Sequence, residues 1–485
     1  MTDRRRDALL LVLGAALAAF TIRRGIAPHD EGLMLQAGER IADGQWPYRD
    51  FWTNYLPGQA LVLGALSEVL GPSLPAWRIV RVVVAAVTAL LVHRLVRRGG
   101  GDGPWALAAW AAAAGAMAFA QGPGPTAPAL ALALAAVLAR RPSFGGALAG
   151  LAFFFRPEAG VAAALGVGLG AWRAGGADAA ARAAGAALLV AAVLLAPFAV
   201  VAPRELADQA FGFIAIQDLQ RLPFPLDPGT PDPNKVLETL FPAILVAACV
   251  VALGAAVARR RDDRLLAVLP LAPLVVAGLA YLLSRTDEFH QLALAVPLAA
   301  VLALLGSRAP RPLAVACGAV LGLMVVHGLE RRAGDVLHPP TSAVVRSPVA
   351  DGVRAQAAQA ASLNPVLAFI FERTRPGEPI YVGLPRHDRV RVGHPLLYVL
   401  ARRPNATRYD VMQPGVVTEA GVQREMVVDL ERRRVRLVVR WVAAEATLRE
   451  DNASGRMRGA RILDTYLAAR FRTALRTPDL IVLTR

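Results

Sequence analysis

Apolar residues in this chain fall in blocks long enough to cross a bilayer, and that pattern restricts the fold more than any single motif. A spanning helix needs about 20 consecutive apolar residues, within a range of about 17–25, because lipid offers its backbone no hydrogen-bond partner. Candidate spans are Ala8–Ile22, Leu74–Leu95, Pro104–Ala120, Thr126–Ala139, Phe144–Phe155, Gly160–Trp172, Ala183–Val201, Val236–Ala258, Leu265–Leu283, Phe289–Leu305 and Leu313–Gly328. That is about eleven, the first, fifth and sixth of them short. Hydrophobic residues are 55% of the 485, too many for an ordinary soluble chain. Alanine, with Gly and Pro, dominates the blocks, a composition suited to closely packed membrane helices.

Arg4–Arg6 followed by Ala8–Ile22 resembles a signal peptide. Because many spans follow, the segment is read as an uncleaved first helix. The basic clusters Arg4–Arg6, Arg94/Arg97/Arg98, Arg140/Arg141, Arg173/Arg182, Arg259–Arg261/Arg264 and Arg308/Arg311 fall on alternate connections. The positive-inside rule puts these in the cytoplasm. The loop 23–73, Gln121–Pro125, Arg156-Pro157-Glu158, the loop 203–235, Ser284–Glu288 and everything after 328 then face out. The reading is a bacterial-type inner-membrane protein with a cytoplasmic N-terminus. The formal net charge of +16 rests almost wholly on arginine, with Lys235 the one lysine. Part of it is explained by cytoplasmic membrane edges, and no nucleic-acid partner is assigned. Cys249 and Cys317 lie in apolar blocks and read as buried thiols.

The outer loop 23–73 carries the densest chemistry. It reads His29-Asp30-Glu31-Gly32, then Gly44 through Trp52 with Tyr48, Arg49 and Asp50, then Asn54-Tyr55 and Pro57-Gly58. Asp30 is placed to N-cap a helix over Glu31–Asp43, and Gln59–Leu70 reads as a second short helix at the membrane surface. Arg78 and Arg81, three apart, share a helix face near the outer end of the second span, turned inward to a partner or a phosphate, or snorkelling to headgroups. After 328 the composition turns charged. Residues 329–348 read as a linker. Residues 349–485 read as an extracytoplasmic α/β domain, with helices over Asp351–Thr374, Val417–Arg434 and Gly459–Arg472 and strands over Pro379–Gly383, Val435–Val442 and Asp479–Thr484. Asn405-Ala406-Thr407 and Asn452-Ala453-Ser454 match the N-glycosylation pattern.

Three polar clusters fall on the outward face: His29-Asp30-Glu31, Arg156-Pro157-Glu158, and Arg285 with Asp287 and His290. A carboxylate can take the proton of a hydroxyl as that hydroxyl attacks, and Arg and His at a helix N-terminus hold a phosphate. Base and anion holder at a lipid–water boundary suit group transfer from a lipid phosphate. Each cluster also has a plainer reading. Asp30 caps a helix, Thr286 or Asp287 caps the tenth span, Arg156 pairs with Glu158, and the aromatic run 46–52 forms an interfacial belt. His29 beside two acids is a metal-ligand type, but no third ligand is evident and no metal or other cofactor is assigned.

Taken together, Asp30-Glu31, the Gly-x-x-Pro-Tyr-Arg-Asp-Phe-Trp run with Pro57-Gly58, Arg78, Phe155–Gly160 and Arg285-x-Asp287-x-x-His290 resemble the patterns of GT-C superfamily membrane glycosyltransferases. That type includes protein O-mannosyltransferases and the aminoarabinose transferase of lipid A. The resemblance covers residues 1–328. It implies an enzyme that moves a hexose or pentose from a polyprenyl-phosphate carrier to an envelope acceptor hydroxyl with inversion. Asp30 would be the catalytic base and Glu31 its support. His29, Tyr48, Arg49, Asp50, Arg78, Arg156, Glu158, Arg285, Asp287 and His290 would bind substrate. The acceptor, whether glycan, lipid or protein, is unspecified. The alternatives are another envelope-polysaccharide enzyme, a polymerase or ligase, or a lipid-linked sugar flippase. A flippase would show internal repeats and mid-span charges.

Overall fold

The computed structural model describes residues 3–118, 124–222, 236–258, 267–286, 288–337, 340–411 and 413–485. The bundle helices are α1 (Asp3–Ala19), α4 (Leu74–Arg98), α5 (Gly103–Met117), α6 (Thr126–Leu138), α7 (Pro142–Phe155), α8 (Pro157–Val201), α10 (Val236–Ala258), α11 (Ala272–Ser284), α12 (Glu288–Gly306) and α13 (Arg311–Leu337). Between α1 and α4 lie α2 (Asp30–Ala42) and α3 (Gly58–Leu70), and α9 (Pro203–Leu206) follows α8. Each predicted apolar segment carries helix. Arg259–Arg261, Arg264, Asp287 and parts of the 121–125 and 203–235 loops lie outside the described residues. By length and composition, α4, α8 and the first part of α13 are long and apolar enough to cross a membrane.

Local chemistry explains several boundaries. Ser73 caps α4 by accepting from the Ala76 N–H at 3.3 Å, and Asp102 caps α5 from Trp105 N–H at 3.1 Å. Helix α8 joins two predicted segments and breaks at Gly175 and Gly176, where Gly176 takes φ +71°. Val167 and Ala183 pack beside neighbouring residues of α7, Gly145 and Gly146, so the chain doubles back at that break. Alanines fill the bundle core. Ala112, Ala113, Ala133, Ala299, Ala300 and Ala303 are fully buried, which lets backbones approach closely. Cys249 and Cys317 are buried and unpaired, as expected.

The two ends of the bundle differ. At one end several basic connections come together: Arg94 pairs with Asp7 at 2.9 Å, Arg98 donates to the Leu138 carbonyl and Arg308 to the Gly99 carbonyl. At the other end of α4, Leu74 N–H donates to Val349 of the C-terminal region at 2.8 Å.

In that region β1 (Ser342–Val344) pairs antiparallel with β2 (Arg354–Gln356). Then come α14 (Ala357–Arg373), β3 (Tyr381–Gly383), α15 (Leu396–Ala401), α16 (Ala420–Arg432), β4 (Leu437–Trp441), α17 (Ala444–Thr447), α18 (Ala453–Arg456), α19 (Ile462–Arg470), β5 (Arg472–Arg476) and β6 (Leu480–Thr484). The second sheet runs β3-β4-β6-β5, with β3 parallel to β4 and the other pairs antiparallel.

Two expectations need correction. The linker expected at 329–348 begins inside α13. Charged residues end the apolar character there but remain good helix formers, so the helix continues to Leu337. The boundary at 328 does not separate two cores either. Met34, Leu35, Leu63, Leu74 and Trp77 from the first 328 residues share one buried cluster with the sheet region. The asparagines of the glycosylation-type triplets are used by the fold itself. Asn405 and Asn452 are buried, and Asn452 accepts from the Gly455 N–H at 2.8 Å to cap α18.

Candidate active site

The N-terminus of α2 sets two adjacent acids in opposite environments. His29 occupies the N-cap position without a side-chain cap bond, and Asp30 is already helical, so the expected Asp30 cap is not formed. Successive helical residues are about 100° apart. Asp30 therefore points out and is exposed, while Glu31 points in and is 1% exposed. Among the described residues the Asp30 side chain makes no hydrogen bond or ion pair. Glu31 is fully engaged: Arg78 donates from Nε to Oε1 and from Nη2 to Oε2, both at 2.7 Å, and Ala27 N–H reaches Oε2 at 3.3 Å.

Arg78 was expected among the substrate-binding groups, and the fold uses it otherwise. Its remaining protons go to the carbonyls of Ile22 (2.9 Å) and Gly25 (2.8 Å). Arg81 donates to Thr21 Oγ1 at 2.8 Å. Both arginines stitch the exit of α1 to α4. A charge in a span is costly unless paired, and the chain solves that with Glu31 and backbone carbonyls.

Tyr48 is a second correction. It is fully buried, with φ +70°, and its hydroxyl donates to the Tyr55 carbonyl at 2.9 Å. Burial pushes its phenol well above the ordinary range. It packs edge-on to Phe198 at 6.4 Å beside Trp46, in a small cluster with Leu56 and Phe154. The aromatic run therefore packs the loop onto α7 and α8. Arg49 and Asp50 pair with each other at 2.7 Å, and Asp50 Oδ2 accepts from Trp46 N–H at 2.7 Å, closing the turn. The Arg49 hydrogen bonds hold the Asp50 carboxyl below its usual range.

The second and third clusters meet the first around Tyr55. Burial, then the charge of Asp30 and the phenol of Tyr281, push the Tyr55 phenol up, while Arg156 and Arg285 pull it down. One side chain thus feels residues from α2, from the α7–α8 corner and from the end of α11. Arg156 donates from Nε to Glu158 Oε1 at 2.6 Å and lies over the Tyr281 ring at 4.8 Å. His290 packs obliquely on the same Tyr281 ring, with centroids 4.4 Å apart. Asp287 lies outside the described residues.

The sheet region completes the corner. Glu450 accepts from Arg285 Nη2 at 2.6 Å and Nη1 at 3.2 Å, and from Asn452 Nδ2 at 2.7 Å. His29 Nδ1 accepts from the Gly393 N–H at 3.2 Å, which puts the ring proton on Nε2. Gly32 is pressed so closely on α15 that a Cβ there would lie 2.2 Å from Leu396 N. Tyr55, Tyr281 and Glu450 were absent from the expected site. Tyr55 lay inside the quoted motif, but Glu450 is 165 residues from its partner and left no local signal.

Chemically, the corner combines an exposed carboxylate with two guanidinium groups whose own carboxylate partners are partly open to solvent: Glu158 is 39% and Glu450 27% exposed at the side chain. Such half-open pairs can exchange a carboxylate for a phosphate, which Arg grips in two-point fashion.

No protein-family model and no curated protein matches this sequence. Solved structures do. The crystal structure of ArnT from Cupriavidus metallidurans bound to undecaprenyl phosphate superposes with a TM-score of 0.58 at 14% identity, over 99% of this chain and 98% of that one. The chain has the ArnT fold. The GT-C likeness read from the sequence therefore holds for the architecture, and it extends through the sheet region as well as the bundle. An oligosaccharyltransferase from Archaeoglobus fulgidus aligns at a TM-score of 0.46 and 13% identity, over 89% of this chain and 68% of that one.

Proposed function

We propose that the chain is a membrane glycosyltransferase that takes a sugar from a polyprenyl phosphate and transfers it with inversion to an acceptor hydroxyl outside the cytoplasm. The observation that carries this reading is the corner where Arg156 and His290 meet on the Tyr281 ring and Arg285 is held by Glu450, with the exposed carboxylate of Asp30 close enough to act on Tyr55 beside them. The ArnT fold, seen elsewhere with undecaprenyl phosphate bound, supports the donor class.

In the proposed step Asp30 accepts the acceptor's hydroxyl proton as that oxygen attacks the anomeric carbon. The bond from that carbon to the phosphate oxygen breaks, and the polyprenyl phosphate leaves with the electron pair. Arg285 and Arg156 stabilise the charge that develops on the leaving phosphate, with His290 beside them on Tyr281. Glu450 and Glu158 hold these guanidinium groups in place and yield to the phosphate when donor binds. Glu31 does not share the proton. Its part is to seal Arg78 and fix the first turn of α2, which aims Asp30.

The topology proposed with this reading is about eleven crossings of a bacterial-type inner membrane, the basic connections in the cytoplasm, and the 23–73 loop and residues 349–485 outside. The test is to incubate purified protein with a panel of polyprenyl-phosphate hexoses and pentoses and follow donor consumption. Consumption of one donor with release of free polyprenyl phosphate is expected. A chain that consumes none across the panel, with or without added envelope extract, would end the transferase reading.

A further inference from the structure

The sheet region contains a cavity that the proposed transfer step does not use. Its volume is 530 Å³, within the range of small-molecule sites. Ten residues line it, and six of these are arginines: Arg386, Arg389, Arg391, Arg449, Arg456 and Arg458. Basic residues number 53 among 485 in the whole chain, so the arginine-rich composition does not account for six in ten.

The cavity has two fixed walls. The first, after β3, carries Arg386, Arg389 and Arg391. His387 anchors it, fully buried between the Tyr381 hydroxyl at 2.8 Å and Asp464 at 2.7 Å, while Gln423 Nε2 donates to the His387 carbonyl at 3.1 Å. The second wall, around α17 and α18, carries Arg449, Arg456 and Arg458. Asn452 holds its turn through Ser454 Oγ and Gly455 N–H, both at 2.8 Å. The Gly459 N–H donates to the Asp388 carbonyl at 2.9 Å and ties the walls together.

Negative charge is scarce here. Asp388 is taken by Arg386 at 2.5 Å, with Arg389 further off at 3.9 Å, and the Arg386 hydrogen bonds hold its carboxyl below the usual range. Glu450 turns away to Arg285. Among the described residues Arg391, Arg449, Arg456 and Arg458 have no carboxylate partner. Burial lowers the Arg391 pKa and Arg389 and Arg449 lower it further, while Glu450 opposes them. Like charges held together by a rigid frame repel one another, and a bound polyanion relieves that repulsion.

We propose that this cavity binds an acidic glycan, gripping two or more of its carboxylate or phosphate groups. Both walls belong to the sheet region and none to a bundle helix, which favours a glycan over a lipid headgroup held in the bilayer plane. Resting on the transferase reading, the ligand is the acceptor: Arg449 adjoins Glu450, whose pairing with Arg285 sets the second wall against the proposed transfer corner. The arginines would hold the acceptor's acidic groups while a separate hydroxyl reaches Asp30.

The test measures binding of a galacturonic acid oligomer to the purified full chain in discs of neutral phospholipid. A neutral glucose oligomer of equal length is the control. Saturable binding of the acidic oligomer alone is expected, weakening with salt. The triple variant Arg449→Gln, Arg456→Gln, Arg458→Gln should weaken it by about tenfold or more, since these are two-point charged contacts. Arg140→Gln, Arg141→Gln, Arg173→Gln removes the same charge elsewhere and should leave binding unchanged. All six positions are exposed, so both variants keep the fold, and the single variant Arg449→Glu gives the same comparison with one change. Equal binding of the neutral oligomer, or undiminished binding by the first triple variant, overturns the site. Displacement of the oligomer by anionic phospholipid in the discs overturns the glycan in favour of a headgroup. Because no donor is present, failure here leaves the transferase reading standing. Failure to consume donor leaves this site standing.

Discussion

Two arginine–carboxylate pairs flank the same corner and differ chiefly in burial. In the Glu31–Arg78 pair the side chains are 1% and 5% exposed, and the remaining guanidinium protons are used by backbone carbonyls. In the Arg285–Glu450 pair both side chains are 27% exposed, and the second contact is stretched to 3.2 Å. The same chemistry serves opposite ends. A sealed pair cannot release either partner without leaving a buried charge, so it acts as a fastener. A half-open pair loses little when its carboxylate is exchanged, because water and incoming anions already reach it. Burial thus separates a fastening pair from an exchangeable one around a single corner, which residue type alone could not do.

Breaking the sealed pair should have the largest effect on stability. Glu31→Gln leaves Arg78 charged and half-satisfied, at a cost of about 3–5 kcal/mol. A steep loss of unfolding midpoint in detergent checks this. An unchanged midpoint would mean the pair is not sealed. Next comes the seam that brings Glu450 over the corner. Gly32→Ala forces a methyl onto the Leu396 backbone and should cost about 1–3 kcal/mol, with a matching fall in melting temperature. A variant as stable as wild type would show that α2 and α15 do not pack as described. Breaking the half-open pair should matter least to the fold. Arg285→Ala should change stability by about 1 kcal/mol or less. It should weaken donor binding more than acceptor binding, and equal donor affinity in wild type and variant would remove Arg285 from the phosphate site.

The bundle was legible because each segment announces itself locally, through an apolar block and its caps. Some of the basic connections, placed on alternate loops by their spacing, also lie together at one end of the bundle, through Asp7–Arg94, Arg98–Leu138 and Arg308–Gly99. The sheet region was read in outline: β3, β4 and β6 appear within the expected segments, whereas β1, β2 and β5 are short or polar and were missed. The site was legible as a set of clusters but not as a set of roles. Whether Glu31 faces solvent or Arg78 depends on a contact 47 residues away, and Tyr48 reads as a binding aromatic until Phe198 closes over it. Glu450 and the arginine cavity were out of reach, because only the shared core of the outer loop and the sheet region brings them to the corner.

Asp30→Asn should change stability least of all, since Asp30 is exposed and caps nothing in the fold. At most it gives up a favourable charge at a helix N-terminus, about 0.3–1 kcal/mol. Its effect on chemistry should be the reverse, because an amide cannot take the acceptor's proton. The decisive measurement is the transfer rate of folded Asp30→Asn against wild type, with the donor found in the panel and matched amounts of protein. The proposed role of Asp30 requires a loss of roughly a hundred- to ten-thousand-fold. Near-normal turnover would contradict it and leave Asp30 without a catalytic role.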